Sequence, residues 1–185
     1  LCAQNPKAKL RSFPYYDNYL KLTRMEVAAL RKAQMKANKR ISSILFAGSG
    51  PLPLTSVMLN KHYGFTVTNL DRDCGACDTS EKLVRSLELA KPMPHIHANL
   101  DEFDKIGGYD AIYMAALVGL NVEQKLETMD ALHARMSKGQ FLIVRSAKGM
   151  RRLLYPEVFT EGLNGFKLLT QAHPRGEVIN SVLIF

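Results

Sequence analysis

Ile41-Ser42-Ser43-Ile44-Leu45-Phe46-Ala47-Gly48-Ser49-Gly50-Pro51-Leu52-Pro53 is the stretch on which the reading of this chain turns. A short apolar run, β-branched at one end and aromatic at the other, stops at glycine, which predicts a buried strand over 41–46. The glycines let the backbone turn sharply and approach a ligand closely. Proline in the first turn then predicts a helix over 53–63. The loop lacks the third spaced glycine of the dinucleotide pattern and the lysine of a P-loop, and prolines at 51 and 53 are unlike a phosphate cradle.

Outward from this loop the chain alternates. Residues 65–70 predict a second strand, ending at Asn69-Leu70-Asp71. Asp78 or Thr79 is the expected cap of a helix running to about Leu89. Short strands are expected over 95–99, 109–115 and 141–144, with a helix over 122–136 and Gly139 just beyond its end. A short helix over 150–155 is expected next. Strands over 166–172 and 178–185 are joined so closely that they must pair antiparallel. Ahead of the loop, 18–36 reads as a helix capped by Asp17 or Asn18. Strand–helix alternation closing on a hairpin predicts an α/β, doubly wound, Rossmann-like class I methyltransferase fold, with a mostly parallel sheet and a C-terminal antiparallel strand pair.

In such a sheet, ligands sit at the carboxyl ends of the strands. Asp71 follows Gly50 by about 20 residues, the separation at which an acid accepts the ribose hydroxyls of an adenosine-containing ligand. Gly48, Ser49, Gly50, Pro51, Leu52 and Asp71 are therefore the candidate nucleoside residues. The absence of a phosphate-binding pattern favours S-adenosylmethionine over a nicotinamide dinucleotide. Asn99 and Asp101, after the third strand, are alternative partners for the adenine amine. Ala115, Ala116 and Leu117, after the fourth, are small enough or apolar enough to leave room for the methionine portion.

Composition sets the outer bounds. With 185 residues, 46% of them hydrophobic and 23% charged, the chain suits one compact soluble domain. No run approaches the length of a membrane helix, and no secretory pattern opens the chain, so the expected location is cytoplasmic. The net charge of +8 is concentrated in residues 1–40, which hold ten Lys or Arg against Asp17 and Glu26. That basic leading segment reads first as a solvated helix face. Three cysteines do not make a disulfide framework. Cys74 and Cys77, and the histidines at 95 and 97, read as structural, so no metal is expected. Glu26 reads as a helix-surface charge or an ion pair with a nearby arginine.

Several strings resemble one family. Phe13-Pro14-Tyr15-Tyr16-Asp17-Asn18-Tyr19 resembles the FPYYxNY signature of nicotianamine synthases, and Gly48-Ser49-Gly50-Pro51-Leu52-Pro53-Leu54-Thr55-Ser56 resembles their GSGPLPLTS loop. Ala115-Ala116-Leu117-Val118-Gly119, Arg145-Ser146-Ala147, Leu154-Tyr155-Pro156 and Val178-Ile179-Asn180-Ser181-Val182 are similar to later blocks in the same order, so the resemblance spans 13–183. It implies an aminocarboxypropyltransferase that condenses units of S-adenosylmethionine, releases methylthioadenosine and makes nicotianamine, a metal chelator. S-adenosylmethionine would be substrate, and no metal would be required. The family carries a helical domain ahead of the FPYY block. Only twelve residues precede it here, so that domain, with the acid attributed to it, is expected to be absent and 1–185 to be a single domain. Lys148 stands where plant members tend to have histidine.

The chemistry sets three tasks. The attacking amine must lose a proton, and Tyr15, Tyr16 and Tyr19 are candidates to orient or relay it. Arg145 is a candidate bidentate clamp for a substrate carboxylate. The glycine loop and Asp71 hold the adenosyl part. The expected partner is a small molecule, with a homodimer possible and neither nucleic acid nor membrane expected. The competing readings are a methyltransferase on the same fold and a noncatalytic module whose basic segment contacts RNA or protein.

Overall fold

The computed structural model describes residues 10–11, 13–87, 89, 91–119, 121–147, 158, 165–174 and 180–185. The apolar run around the glycine loop forms β1 (Ser43–Ala47), whose last four residues are all buried. Burial on both faces is what a central parallel strand requires. Around it run α1 (Tyr16–Ala37), α2 (Leu54–Tyr63), β2 (Thr66–Asp71), α3 (Cys74–Ser86), β3 (His95–His97), a 3-10 turn at Asp104–Gly108, β4 (Ala111–Met114), α4 (Val122–His133), β5 (Phe141–Ser146), β6 (Thr170–Ala172) and β7 (Ser181–Ile184).

The seven strands order as β3-β2-β1-β4-β5-β7-β6. The first five are parallel, while β7 inserts antiparallel against β5 and β6. This is the doubly wound, Rossmann-like methyltransferase architecture with its closing antiparallel pair. The chain leaves β1 toward β2 on one side and later returns to place β4 on the other. The strand order therefore reverses between β1 and β4, and a crevice opens there at the carboxyl edge.

Alternation along each strand divides the core into two layers. Ile44, Phe46, Val67, Tyr113, Phe141, Ile143 and Val182 face one side and meet Val27, Leu30 and Ala33 of α1. Leu45, Leu70, Ile112, Met114, Leu142 and Val144 face the other and meet Met129 and Leu132 of α4. Burying such side chains contributes roughly 1.5–3 kcal/mol each. The basic leading helix is thus packed against the sheet. Lys36 of this helix and Lys39 just past its end also serve the fold: Lys36 Nζ donates to Leu169 O at 2.6 Å and Lys39 Nζ to Gly139 O at 2.8 Å.

Several boundaries differ from the sequence expectation. The residue before α1 is Tyr15, which makes no side-chain cap, and Asp17 lies inside the first turn instead of capping it. α3 begins at Cys74, capped by Asp73, whose carboxylate accepts from Ala76 N at 3.0 Å. Asp78 and Thr79 are inside that helix, and Thr79 Oγ1 donates back to Gly75 O at 2.8 Å. Gly75 in the first turn hides the start from a propensity reading. α4 ends at His133, and Gly139 takes its positive φ of 80° ahead of β5 rather than at the helix end. β5 continues to Ser146, which puts Arg145 within the strand. β6 is only three residues long, because Phe166 and Leu168 pack on the core without joining the ladder. The helix expected over 150–155, and residues 178–179 of the last expected strand, lie outside the described residues.

Candidate active site

The glycine loop is built by two positive φ values, 76° at Gly48 and 65° at Gly50. A Cβ on Gly48 would stand 2.7 Å from Val118 Cγ2, whereas one on Gly50 would meet nothing within 4 Å. The first glycine therefore lets the Val118 and Ala115 side chains pack directly on the loop backbone, and the second faces open space. Gly48 N donates to Leu70 O at 2.9 Å. Asp71 ties the loop to β2: its Oδ2 accepts from Gly50 N at 2.7 Å and its Oδ1 from Asp73 N at 3.1 Å. Each carboxylate oxygen thus keeps a lone pair for a ligand hydroxyl while being aimed by a backbone amide.

Two cavities adjoin this loop. The larger, about 690 Å³, is lined by Gly48, Gly50, Asp71, Asn99, Asp101 and Leu117 among others. Both adenine candidates therefore reach it, and the alternative between Asn99 and Asp101 stays open. The α4 residues Gln124, Glu127 and Thr128 close its far side; nothing in the sequence pattern marked them. The smaller cavity, about 140 Å³, is lined by Tyr19, Ser49, Thr55, Ala115, Arg145 and Asn180, with Leu52, Ala116 and Leu117 at its edges. Gly48 and Leu117 belong to both.

The smaller cavity is polar in an unusual way. Ser49 Oγ and Asn180 Oδ1 are buried and have no hydrogen-bond partner among the described residues. A buried polar atom left unpaired costs about 1–3 kcal/mol, and such atoms at a cavity wall are suited to a polar ligand. Beside them lies a charged network. Arg145 Nε donates to Glu26 Oε1 at 2.8 Å and to Tyr113 Oη at 3.0 Å. Its Nη2 donates to Glu26 Oε2 at 3.1 Å and to Thr55 Oγ1 at 2.7 Å. Burial alone would lower the Arg145 pKa, but Glu26 outweighs it and the net shift is upward. Burial likewise pushes the Tyr113 phenol well up. Tyr113 also stacks on Phe46, with ring centroids 4.4 Å apart, and the guanidinium carbon lies 5.3 Å from the Tyr113 centroid.

The family model described as nicotianamine synthase protein matches residues 1–185. The chain belongs to the nicotianamine synthase family. It is 40% identical over 185 residues to nicotianamine synthase 1 of Arabidopsis thaliana, covering 98% of this chain and 57% of that one. The crystal structure of MtNAS in complex with MTA and tNA is similar at a TM-score of 0.80 and 27% identity, covering 98% of this chain and 64% of that one. A point mutant of MtNAS in complex with S-adenosylmethionine is similar at a TM-score of 0.79 and 27% identity, covering 98% and 66%. The chain spans a little over half the length of the curated relatives it matches.

Within this nicotianamine synthase-family chain the tyrosines separate. Tyr19 lines the smaller cavity. Tyr16 packs on the cluster formed by Leu54, Val57 and Val84. Tyr15 is 60% exposed, rests edge-on against Phe13 and lines neither cavity. Pro51 is exposed and lines neither cavity, whereas Leu52 reaches the smaller one. Glu26 is the ion-pair partner of an arginine, as one of its two sequence readings had it; it is buried rather than on the helix surface, and its partner lies 119 residues away.

The discounted groups have their own partners. His95 Nε2 contacts Ser80 Oγ at 2.7 Å and Asn69 Nδ2 at 3.0 Å, and burial lowers its pKa. His97 Nε2 contacts Arg72 O at 3.0 Å. Cys77 is buried with Sγ 3.6 Å from Asp71 O and Ile96 O, and burial, then the Asp71 charge, raises its pKa. Among the described residues no group of three or more His, Cys, Asp or Glu is placed to hold a metal.

Proposed function

We propose that this chain is the S-adenosylmethionine-binding catalytic core of a nicotianamine synthase. The observation that carries this reading is the pair of adjoining cavities at the switch point, joined through Gly48 and Leu117. The larger accommodates the adenosyl part, its ribose hydroxyls on Asp71 and its adenine against Asn99 or Asp101. The smaller takes the aminocarboxypropyl arm, passing Ala115, Ala116 and Leu117, with its polar ends toward Ser49, Asn180 and the Arg145 network. The whole of 1–185 acts as this one unit.

That placement favours attack at the arm's γ-carbon instead of the methyl, because reaction at a sulfonium is decided by which carbon is held in line with the nucleophile. The amine lone pair forms the new C–N bond. The γ-carbon–sulfur bond breaks with its electron pair on sulfur, so the leaving group is neutral methylthioadenosine. The amine proton departs by way of Tyr19, the tyrosine of the triplet that borders the cavity. Tyr15 and Tyr16 serve this step by holding the segment that carries Tyr19. Repetition and ring closure give nicotianamine, and the metal enters only as cargo of that product, in the service of metal homeostasis. A cytoplasmic setting and a homodimer belong to the same reading; no helix among the described residues is long and apolar enough to cross a membrane.

The test is an incubation of the natural full-length protein with S-adenosylmethionine, followed by identification of the sulfur-containing nucleoside. Methylthioadenosine together with nicotianamine is the expected outcome. S-adenosylhomocysteine would replace this reading with methyl transfer, and the absence of S-adenosylmethionine binding would remove it.

A further inference from the structure

Lys125 stands on the first turns of α4 and is completely buried. Among the described residues no carboxylate lies within ion-pair distance of it. Its ammonium instead donates to Ala116 O at 2.8 Å and approaches Ala115 O at 3.5 Å. An unpaired buried charge is expensive to keep. Burial, and then the positive charge of Arg145, lower its pKa to about 8.

The segment it holds is the wall between the two cavities. Ala115 and Ala116 border the smaller one, Val118 and Gly119 the larger, and Leu117 both. A second contact ties the same segment to the same residue: at Gly119, φ is 77° and a Cβ would stand 2.7 Å from the backbone N and Cα of Lys125. The wall is thus held from beneath at one end by the Lys125 side chain and pressed against its backbone at the other. Leu117, 65% exposed, projects from the middle. Apolar replacement of a lysine on an ordinary helix would cost little; here it would free two carbonyls at the point where the chambers meet.

We propose that Lys125 is a positioning residue whose ammonium fixes residues 115–119, and through them the boundary between the nucleoside chamber and the smaller polar chamber. It touches no ligand itself and acts through the backbone of Ala115 and Ala116. The consequence for ligand binding rests on the two-chamber reading above; the consequence for the wall does not.

The test uses Lys125→Met and Lys125→Arg in the natural full-length protein. For Lys125→Met, amide hydrogen exchange over 115–119 should rise about tenfold or more while the β1 and β5 amides keep their protection. The Kd values for S-adenosylmethionine and for methylthioadenosine, read by calorimetry, should both rise about tenfold. Lys125→Arg, which keeps the charge and the donors, should recover part of both effects. If Lys125→Met does not fold, Lys125→Gln supplies the same comparison with a shorter donor. Unchanged exchange at 115–119 in a folded Lys125→Met or Lys125→Gln protein would overturn the proposal, as would exchange rising uniformly through the sheet, the mark of a merely structural residue. A wild-type protein that binds neither nucleoside would overturn the two-chamber reading instead, and the exchange measurement would still decide the role of Lys125.

Discussion

The two ends of the sheet treat polar atoms in opposite ways. At the amino end, Asp110 Oδ2 accepts from the amide and hydroxyl of Ser42, both at 2.8 Å, and from those of Ser43 at 2.9 and 3.0 Å. Gln140 Nε2 donates to Ile106 O at 2.6 Å and Tyr109 O at 2.7 Å, while its Oε1 accepts from Ser137 N at 3.1 Å. At the carboxyl end, among the described residues, Ser49 Oγ and Asn180 Oδ1 are buried without a partner, Lys125 is buried without an acid, and Gly50 faces open space. The Asp110 and Gln140 side chains at the closed end are consumed in joining the segments that lead into β1, β4 and β5. Those at the open end are held but left with capacity, which a fold alone does not require.

The largest effect should come from the buried pair. Glu26→Gln leaves Arg145 without its counter-charge, and calorimetric or denaturant unfolding should show a loss of about 3–5 kcal/mol. Replacing both, as Glu26→Met with Arg145→Met, should recover much of that loss while leaving turnover impaired. Recovery of full turnover as well would reduce the pair to structural glue. Next comes Asp71→Ala, which removes a charged acceptor from the larger cavity. Nucleoside affinity should fall by a factor of about 100, as the loss of a hydrogen-bonded charge of roughly 2–3 kcal/mol predicts. An unchanged Kd would detach the acid from the ligand.

At the closed end, Asp110→Ala should cost on the order of 2 kcal/mol of stability with nucleoside affinity unchanged. Burial raises the Asp110 pKa, but the bonds from Ser42 and Ser43 outweigh it and bring it to about 2. Since the folded value lies below the ordinary one, this stabilisation is present above about pH 4 and lost as the pH falls toward 2. Wild type and Asp110→Ala should therefore converge in stability across that window; a constant difference would contradict the assignment. The smallest effect belongs to Ser49→Ala. Deleting a hydroxyl that has no partner among the described residues should leave the melting temperature within a degree or two, yet weaken S-adenosylmethionine binding several-fold. A clear drop in melting temperature would mean that the hydroxyl serves the fold.

These contrasts follow what the sequence exposes. Period and punctuation around Gly48 and Gly50 identify the strand, the turn and the helix, because the constraints there are local: a positive φ, a buried run, a proline in a first turn. The spacing from Gly50 to Asp71 carries the acid proposed to bind the nucleoside for the same reason, since one βαβ unit fixes that distance. The start of α3 escapes a propensity reading because a glycine in the first turn and cysteines of indifferent propensity disguise a helix that Asp73 caps. Lys125 and the α4 wall of the larger cavity carry no pattern at all, and Asn180 is marked only as part of a family-like string. Glu26 lies on a helix where an acid is ordinarily solvated, and its arginine is 119 residues distant.

From sequence alone came the order of strands and helices, the antiparallel closure and the loop that turns at the carboxyl edge of the sheet, all set by short-range backbone geometry and by which residues must leave water. Tertiary structure alone decided which of three tyrosines borders a cavity, that Arg145 is shared by Glu26, Tyr113 and Thr55, and that a lysine is spent on two carbonyls. Burial, charge pairing and the position of a cavity depend on segments brought together from across the chain, and no local pattern records them.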